Sequence, residues 1–373
     1  MRVLHVFHHY RPCLGGVETV IYELCRSFKA MGHECSVLCL DSCAGGGKKL
    51  PAGEKFPEAG VERLPFIGMQ YYKVAPFGLG KLRGFDVVHV HGLGFFADYL
   101  ALTKPLHKKP LVLSTHGGIF HTKNISQVKN AYFGLWKSLL SGAFDAVVAV
   151  SQQDRELFSG RIQKERLKLV ENGIDFERFS GIKRKPQAGM ILYFGRIGKN
   201  KGLAQLIEAF AAFIRGGGKG RLVIAGEGPK EMVGELKALA KRLGIEKKIS
   251  FTGRASENGL AGLLSKAEFF ASASQYEGFG LTALEAMASG TIPLLNRIPA
   301  FEAFVEDGSN GFLVDFADAE KAGLQIANAV ALSQARKKAF GAKAGAFASQ
   351  FDWKGKAMEY ERIYAHCIAG KRA

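Results

Sequence analysis

Two glutamates, Glu277 and Glu285, bracket a glycine turn, Gly278-Phe279-Gly280, that runs into Leu281-Thr282-Ala283-Leu284. The pattern predicts a loop followed by a buried helix of good formers from Leu281 to Ala288. Gly290 would close it, with Pro293 beyond. A glycine turn opening a helix leaves N–H groups unpaired and directs a partial positive charge outward, which suits a phosphate. Glu277 stands just before that anion site, and Glu285 lies about 6 Å further along the helix axis. Carboxylates do not bind phosphate, but they accept hydrogen bonds from hydroxyls on either side of it. A nucleotide-sugar presents that layout. The same residues also fit a glycine-flanked core helix with two solvated glutamates.

Other residues invite the same double reading. Arg196, Lys199 and Lys201 sit in Gly195–Gly202, between a predicted strand and a predicted helix. They could grip a diphosphate, with a solvated basic turn as the alternative. Gly15-Gly16 follows the first strand and opens a helix. Since the pattern is not G-x-G-x-x-G, a dinucleotide fingerprint is poorly supported, and a tight-turn role for Gly16 stays open. His116 ends Ser114-Thr115-His116 before two glycines, where a strand terminus favours function over core packing. His121, His89 and His91 lack that placement and are assigned structural roles. Asn172, before Gly173, could touch a sugar or phosphate or make an Asn-Gly turn. Glu227, in Gly226-Glu227-Gly228-Pro229, could contact a ligand or cap a helix.

These residues need a scaffold. A chain of 373 residues suggests two domains, and 47% apolar with 23% charged residues is ordinary for a soluble protein. Short apolar runs alternate with helix patterns in both halves: Val3–Phe7, Cys35–Leu40, Val61–Phe66, Val87–Val90, Leu111–Ser114 and Ala146–Val150, then Ile191–Phe194 onward. This predicts an α/β fold with two doubly wound parallel sheets facing across a cleft. The expected boundaries are 1–175 and 189–350, with a linker over 176–188 and a C-terminal helix over 351–373. Asp41 to Gly60 reads as a mobile loop. With no secretory leader or spanning segment in view, the expected location is cytoplasmic.

The six cysteines, five of them before residue 44, match no zinc spacing and read as buried reduced thiols. The net charge of +17 is shared by both halves and fits nucleic acid, an anionic membrane or an anionic substrate. No Asp-x-Asp is present to hold a catalytic cation, so neither a metal nor another cofactor is expected.

Read together, E-G-F-G-L-x-x-L-E-A-M-A-S-G resembles the signature of the family-4 retaining glycosyltransferases of GT-B fold. G-R-x-x-x-x-K-G is similar to the family motif whose Arg and Lys contact the donor diphosphate, here Arg196 and Lys201. The resemblance implies donor contacts from Gly16, Asn172, Glu227, the Gly278–Thr282 backbone and Glu285. It implies His116 and Glu277 near the transferring sugar, and a C-terminal helix crossing back to the first domain. The Leu113–Thr122 segment looks most like bacterial exopolysaccharide mannosyltransferases using GDP-mannose and polyprenyl-diphosphate-linked acceptors. Lys104, Lys108, Lys109, the Tyr71–Arg83 loop and the aromatic, lysine-flanked segment from Phe120 to Leu140 suggest peripheral contact with an anionic membrane. A core-facing helix with a solvated lysine face is equally compatible. A UDP-sugar donor, a nucleotide-sugar epimerase and a basic nucleic-acid binder are the rivals. The last lacks a recognised motif.

Overall fold

The computed structural model describes residues 1–13, 15–43, 49–69, 72–116, 126–160 and 162–370. The chain divides into two compact units, Met1–Gly173 with Trp353–Ala373, and Ile174–Asp352.

The first unit carries strands β1 (Arg2–Val6), β2 (Glu34–Leu40), β3 (Gly53–Lys55), β4 (Gly60–Leu64), β5 (Ile67–Met69) and β6 (Tyr72–Val74). Strands β7 (Val87–His91), β8 (Leu111–Ser114), β9 (Ala146–Ala149) and β10 (Leu167–Leu169) follow. Eight form one sheet in the order β10-β9-β8-β7-β1-β2-β4-β3. Every pairing in it is parallel except β3 with β4, while β5 and β6 form a separate antiparallel hairpin. The central strands are buried along most of their length because both faces are covered, with His5, His89 and His91 as polar members. Phe96, Leu100, Trp136 and Phe158 pack one cluster. Val20, Leu24 and Phe28 of the helix Gly16–Ala30 pack a second, with Tyr360 and Tyr364 of the helix Trp353–Ala369. The C-terminal helix is therefore part of this unit's core. A Cβ at Gly173 would lie 2.7 Å from the Trp353 ring, so glycine there answers to close packing rather than to an Asn-Gly turn.

The second unit is a six-stranded, fully parallel sheet. Its strands are β11 (Met190–Phe194), β12 (Arg221–Ala225), β13 (Ile249–Gly253), β14 (Phe269–Ser272), β15 (Ile292–Asn296) and β16 (Phe312–Val314). Their order is β13-β12-β11-β14-β15-β16. Strand order reverses direction between β11 and β14, as it does between β1 and β7 in the first unit. Loops leaving the carboxyl ends of strands flank a crevice at such a switch point, the usual ligand site of an open α/β sheet.

Several expectations need correction. The segment expected as a linker belongs to the second unit. Phe176–Ser180 is a short helix with Phe179 in the core. Arg184 donates to the carbonyls of Leu264 and Ala267 and to Thr291 Oγ1, which pins the basic run to this unit; burial lowers its pKa to about 10. Part of the expected loop over 41–60 pairs as β3. Cys13 and Cys43 are disulfide-bonded rather than reduced, because the loops leaving the adjacent parallel strands β1 and β2 bring their Cα atoms to 5.3 Å. Cys25, Cys35, Cys39 and Cys367 are buried free thiols.

Candidate active site

In the second unit, the loops after β11, β12 and β14 converge. Gln275 N–H donates to the Asn200 carbonyl (2.9 Å), and Asn200 Nδ2 to that of Tyr276 (3.3 Å). Ile197 N–H donates to the Glu227 carbonyl at 2.8 Å. Glycine is required at two of the crossings. At Gly202 (φ +61°) a Cβ would stand 2.0 Å from the Ala273 carbonyl oxygen, and at Gly226 it would stand 1.8 Å from that of Gly195.

Lys201 and Glu277 meet at this junction. Lys201 Nζ donates to Glu277 Oε1 at 2.8 Å, and Ser274 Oγ donates to the same oxygen at 2.8 Å. Both charged side chains are mostly buried, at 17% and 13% exposed, so the pair is shielded from the screening that weakens surface ion pairs. Glu277 Oε2 has no protein partner among the described residues. Tyr193, beside this pair, donates its hydroxyl to the Arg196 carbonyl at 2.8 Å. Burial and the nearby Glu277 carboxylate push its pKa up. The Arg196 side chain is exposed.

The helix Leu281–Ala288 starts at Gly280 (φ +92°), which brings no capping side chain, so the first N–H groups stay open to an anion. A Cβ at Gly280 would reach Phe301 at 2.8 Å, whereas one at Gly278 meets nothing within 4 Å among the described residues. The Phe279 ring packs on Phe351, leaving its backbone as the part that could serve a ligand. Leu281 also packs on the core. Thr282 and Glu285 are half-buried on the same helix. Beyond the junction lies a cavity of about 400 Å³ lined by Ile197, Glu227, Lys230, Lys237 and Phe251.

The first unit brings together a different set. The helix Gly16–Ala30 begins after β1 with no side-chain cap at Gly15. A Cβ at Gly16 meets nothing within 4 Å among the described residues and its φ is not left-handed, so no tight turn requires glycine there. His116, just past β8, takes a left-handed backbone (φ +47°), a conformation that costs a non-glycine residue about 1 kcal/mol or more. Its Nε2 lies 2.9 Å from His91 Nδ1, with the rings stacked at 5.2 Å. His91, expected to have a structural role, is thus in direct contact with the candidate residue. His8, at the end of β1, also went unmarked. Burial, with His9 and Lys73 close by, lowers its pKa to about 4. Its position just past the first apolar run was the available signal. Asn172 is half-buried at the end of this unit. His121, Phe120, Lys123 and Tyr71 lie outside the described residues.

Residues 14–178 match the family model described as Glycosyltransferase Family 4, and residues 175–344 the one described as Glycosyl transferases group 1. The GDP-mannose:cellobiosyl-diphosphopolyprenol alpha-mannosyltransferase of Xanthomonas campestris is 36% identical over 95% of this chain and 94% of its own. That of Komagataeibacter xylinus is 34% identical over 99% and 94%. Among solved structures, a glycosyltransferase from Rickettsia africae superposes with a TM-score of 0.76 at 19% identity, covering 98% of both chains. Sucrose-phosphate synthase from Thermosynechococcus elongatus does so with 0.77 at 18%, covering 99% of both. The chain belongs to glycosyltransferase family 4 and has the GT-B fold. It is a glycosyltransferase.

Proposed function

We propose that this enzyme transfers a mannosyl unit from GDP-mannose to a polyprenyl-diphosphate-linked saccharide, with retention and without a metal. The observation that carries this reading is the convergence of Lys201, Glu277 and the uncapped helix at the second unit's switch point. The donor and acceptor classes follow the printed activity of relatives that match nearly the full chain.

Arg196, Lys201 and the N–H groups opening Leu281–Ala288 hold the diphosphate and stabilise the negative charge that grows as it leaves. Glu277 Oε2 accepts from hydroxyls of the transferring sugar while Oε1 keeps Lys201 in place, and Glu285 accepts from the ribose. The base enters the cavity beside Glu227, whose carboxylate can accept from the N1–H and N2–H groups of guanine. Gly16 and Asn172 leave room and polar contact for the donor on the first unit, and His116 contacts the sugar. The acceptor oxygen attacks the anomeric carbon on the face from which the phosphate departs. The acceptor proton passes to the leaving phosphate oxygen, so no protein nucleophile or metal is needed.

The acceptor side lies at an anionic membrane. Among the described residues no helix is long and apolar enough to cross one. Ile67, Leu102, Leu106, Leu135 and Leu139 of the first unit are nevertheless well exposed, enough apolar surface to enter a headgroup layer. The cations nearby contribute less than the sequence suggests. Lys104 is paired with Asp145, Lys81 with Glu62, and Lys109 donates to the Arg83 and Phe85 carbonyls.

Thermal stabilisation by a panel of nucleoside diphosphates, followed by hydrolysis of the matching sugars, tests the donor. GDP should raise the Tm and GDP-mannose should turn over slowly without acceptor. Stabilisation by UDP alone would replace the donor assignment, and interconversion of sugars without transfer would replace the reaction.

A further inference from the structure

Lysines of the first unit that are drawn into its surface find an anion or carbonyls there. Lys104 pairs with Asp145, and Lys109 donates to the Arg83 and Phe85 carbonyls. Lys73, half-buried on β6, has neither. Its Nζ lies 3.4 Å from His9 Nε2 and 4.9 Å from the centre of the Phe66 ring, and it makes no ion pair with a carboxylate among the described residues. His9 Nδ1 is 2.7 Å from the Ser42 carbonyl oxygen. A carbonyl only accepts, so Nδ1 carries the proton. Burial lowers the pKa of His9 below 6.5, with Lys73 adding to the fall and the Ser42 bond opposing it. The ring is therefore neutral near pH 7, and its Nε2 lone pair accepts from the ammonium.

This support is anchored beside the switch point. Cys43, next to Ser42, is bonded to Cys13, and Leu40 N–H donates to the His8 carbonyl at 3.0 Å. His8 and His9 follow β1, and the His8 ring sits against Gly94 past β7, where a Cβ would lie 3.2 Å from its Cε1. Lys73 is close enough to depress the pKa values of both histidines. The hairpin that carries Lys73 has two unlike faces. Ile67 and Val74 pair across it and are exposed, Ile67 to 83%. Lys73 pairs with Gly68, one residue along, and so points to the other face. An ammonium that has lost water and gained only neutral partners is half of an ion pair. Burial already lowers its pKa, and an arriving anion would offset that cost.

We propose that Lys73, held by His9 and Phe66, receives the diphosphate of the lipid-linked acceptor at the edge of the first unit's crevice. The assignment rests on the acceptor class given under the proposed function. The diphosphate joins the lipid chain to the saccharide, so it belongs between an exposed apolar face and a crevice that takes sugars. The hydroxyl that reacts is at least one sugar away, which leaves the crevice itself to uncharged groups. Anionic phospholipid headgroups and the donor offer phosphate oxygens of the same chemistry, and the test separates the three.

Titration of geranyl diphosphate into full-length protein saturated with GDP isolates this contact from the donor site. Lys73→Gln should raise its Kd about tenfold, Lys73→Arg should stay within about threefold of wild type, and GDP affinity should be unchanged in both. In transfer assays Lys73→Gln should raise the acceptor KM by a similar factor, with kcat and donor KM within about twofold. Equal binding of geranyl diphosphate to wild type and Lys73→Gln overturns the proposal. So does a loss confined to phosphatidylglycerol vesicles, which would make the headgroup the ligand, or a matching loss of GDP affinity, which would move Lys73 to the donor. In the wild-type protein, the Lys73 ¹³Cε signal should report a higher pKa once geranyl diphosphate is bound, a reading that needs no variant to fold. An unmoved pKa also overturns the proposal. If binding depends on Lys73 but no mannosyl unit reaches a polyprenyl-diphosphate-linked saccharide, the site stands and the reaction proposed above fails.

Discussion

The two units share one doubly wound design yet place different polar groups beside their switch points. The second buries opposite charges against each other, Lys337 Nζ on Glu268 Oε1 at 3.0 Å under the sheet and Lys201 on Glu277 at its crest. The first also buries charged groups, Arg63 and Asp98 among them, but adds a cluster of neutral rings beside its switch point. All ten histidines of the sequence lie outside residues 174–352. A crevice that must hold a diphosphate needs permanent cations, and a partnered carboxylate keeps such a cation in place in the absence of ligand. A crevice that only donates and accepts hydrogen bonds does better with groups that stay uncharged when dry.

The largest effect expected from breaking this contrast is on stability. Lys337→Met leaves the buried Glu268 without its cation, with Gly189 N–H as its remaining close donor among the described residues, and should cost about 3–5 kcal/mol in urea unfolding. Pairing it with Glu268→Met should recover most of the loss. A single replacement costing under about 1 kcal/mol would show that the second unit does not depend on its buried charges.

Next comes Glu277→Gln, which weakens the grip on Lys201 and on the sugar together. Transfer should slow about 10²- to 10³-fold while the Tm changes little. Full activity in this variant would remove Glu277 from the site.

Acid should separate the units. His89 and His91 titrate well below 6.5 in the folded state, and His8 does so at about 4. Below pH 6.5 the unfolded chain therefore binds protons that the folded first unit refuses. The stability these neutral rings contribute is complete above 6.5 and declines as pH falls, by about 1.4 kcal/mol per pH unit for each buried ring. Hydrogen exchange between pH 7 and 5 should show β1, β7 and β8 losing protection before β11, β12 and β14. Equal loss in both sheets would contradict it.

Gly16→Ala is the smallest and most selective change. The added methyl meets no atom of the described residues, so unfolding should shift by less than about 0.5 kcal/mol. Donor affinity should still fall, because the proposed donor contact at Gly16 would meet that methyl. Unaltered affinity would end that assignment.

Much of this was legible in the residues. Continuous apolar runs such as Ala146–Val150 and Ile191–Phe194 announced buried parallel strands because packing on both faces leaves few polar positions. Strands β3, β5, β6 and β10 were not legible, since a run of only three residues carries no periodicity. The donor-side residues stood out because each follows a strand. Their pairing did not, because Lys201 and Glu277 are far apart in the chain and meet only where β11 and β14 lie side by side. The contact of His91 with His116 was hidden for the same reason: it exists only through the β7–β8 pairing. The Cys13–Cys43 bond likewise depends on β1 lying against β2.

Calorimetric titration of GDP into the wild-type protein, Arg196→Ala and Lys201→Ala reaches the core of the account. Each replacement removes one charge-assisted contact worth about 1.5–3 kcal/mol and should raise Kd by about ten- to a hundredfold, with a shallower salt dependence. GDP binding of equal strength in all three proteins would mean that the diphosphate is held elsewhere.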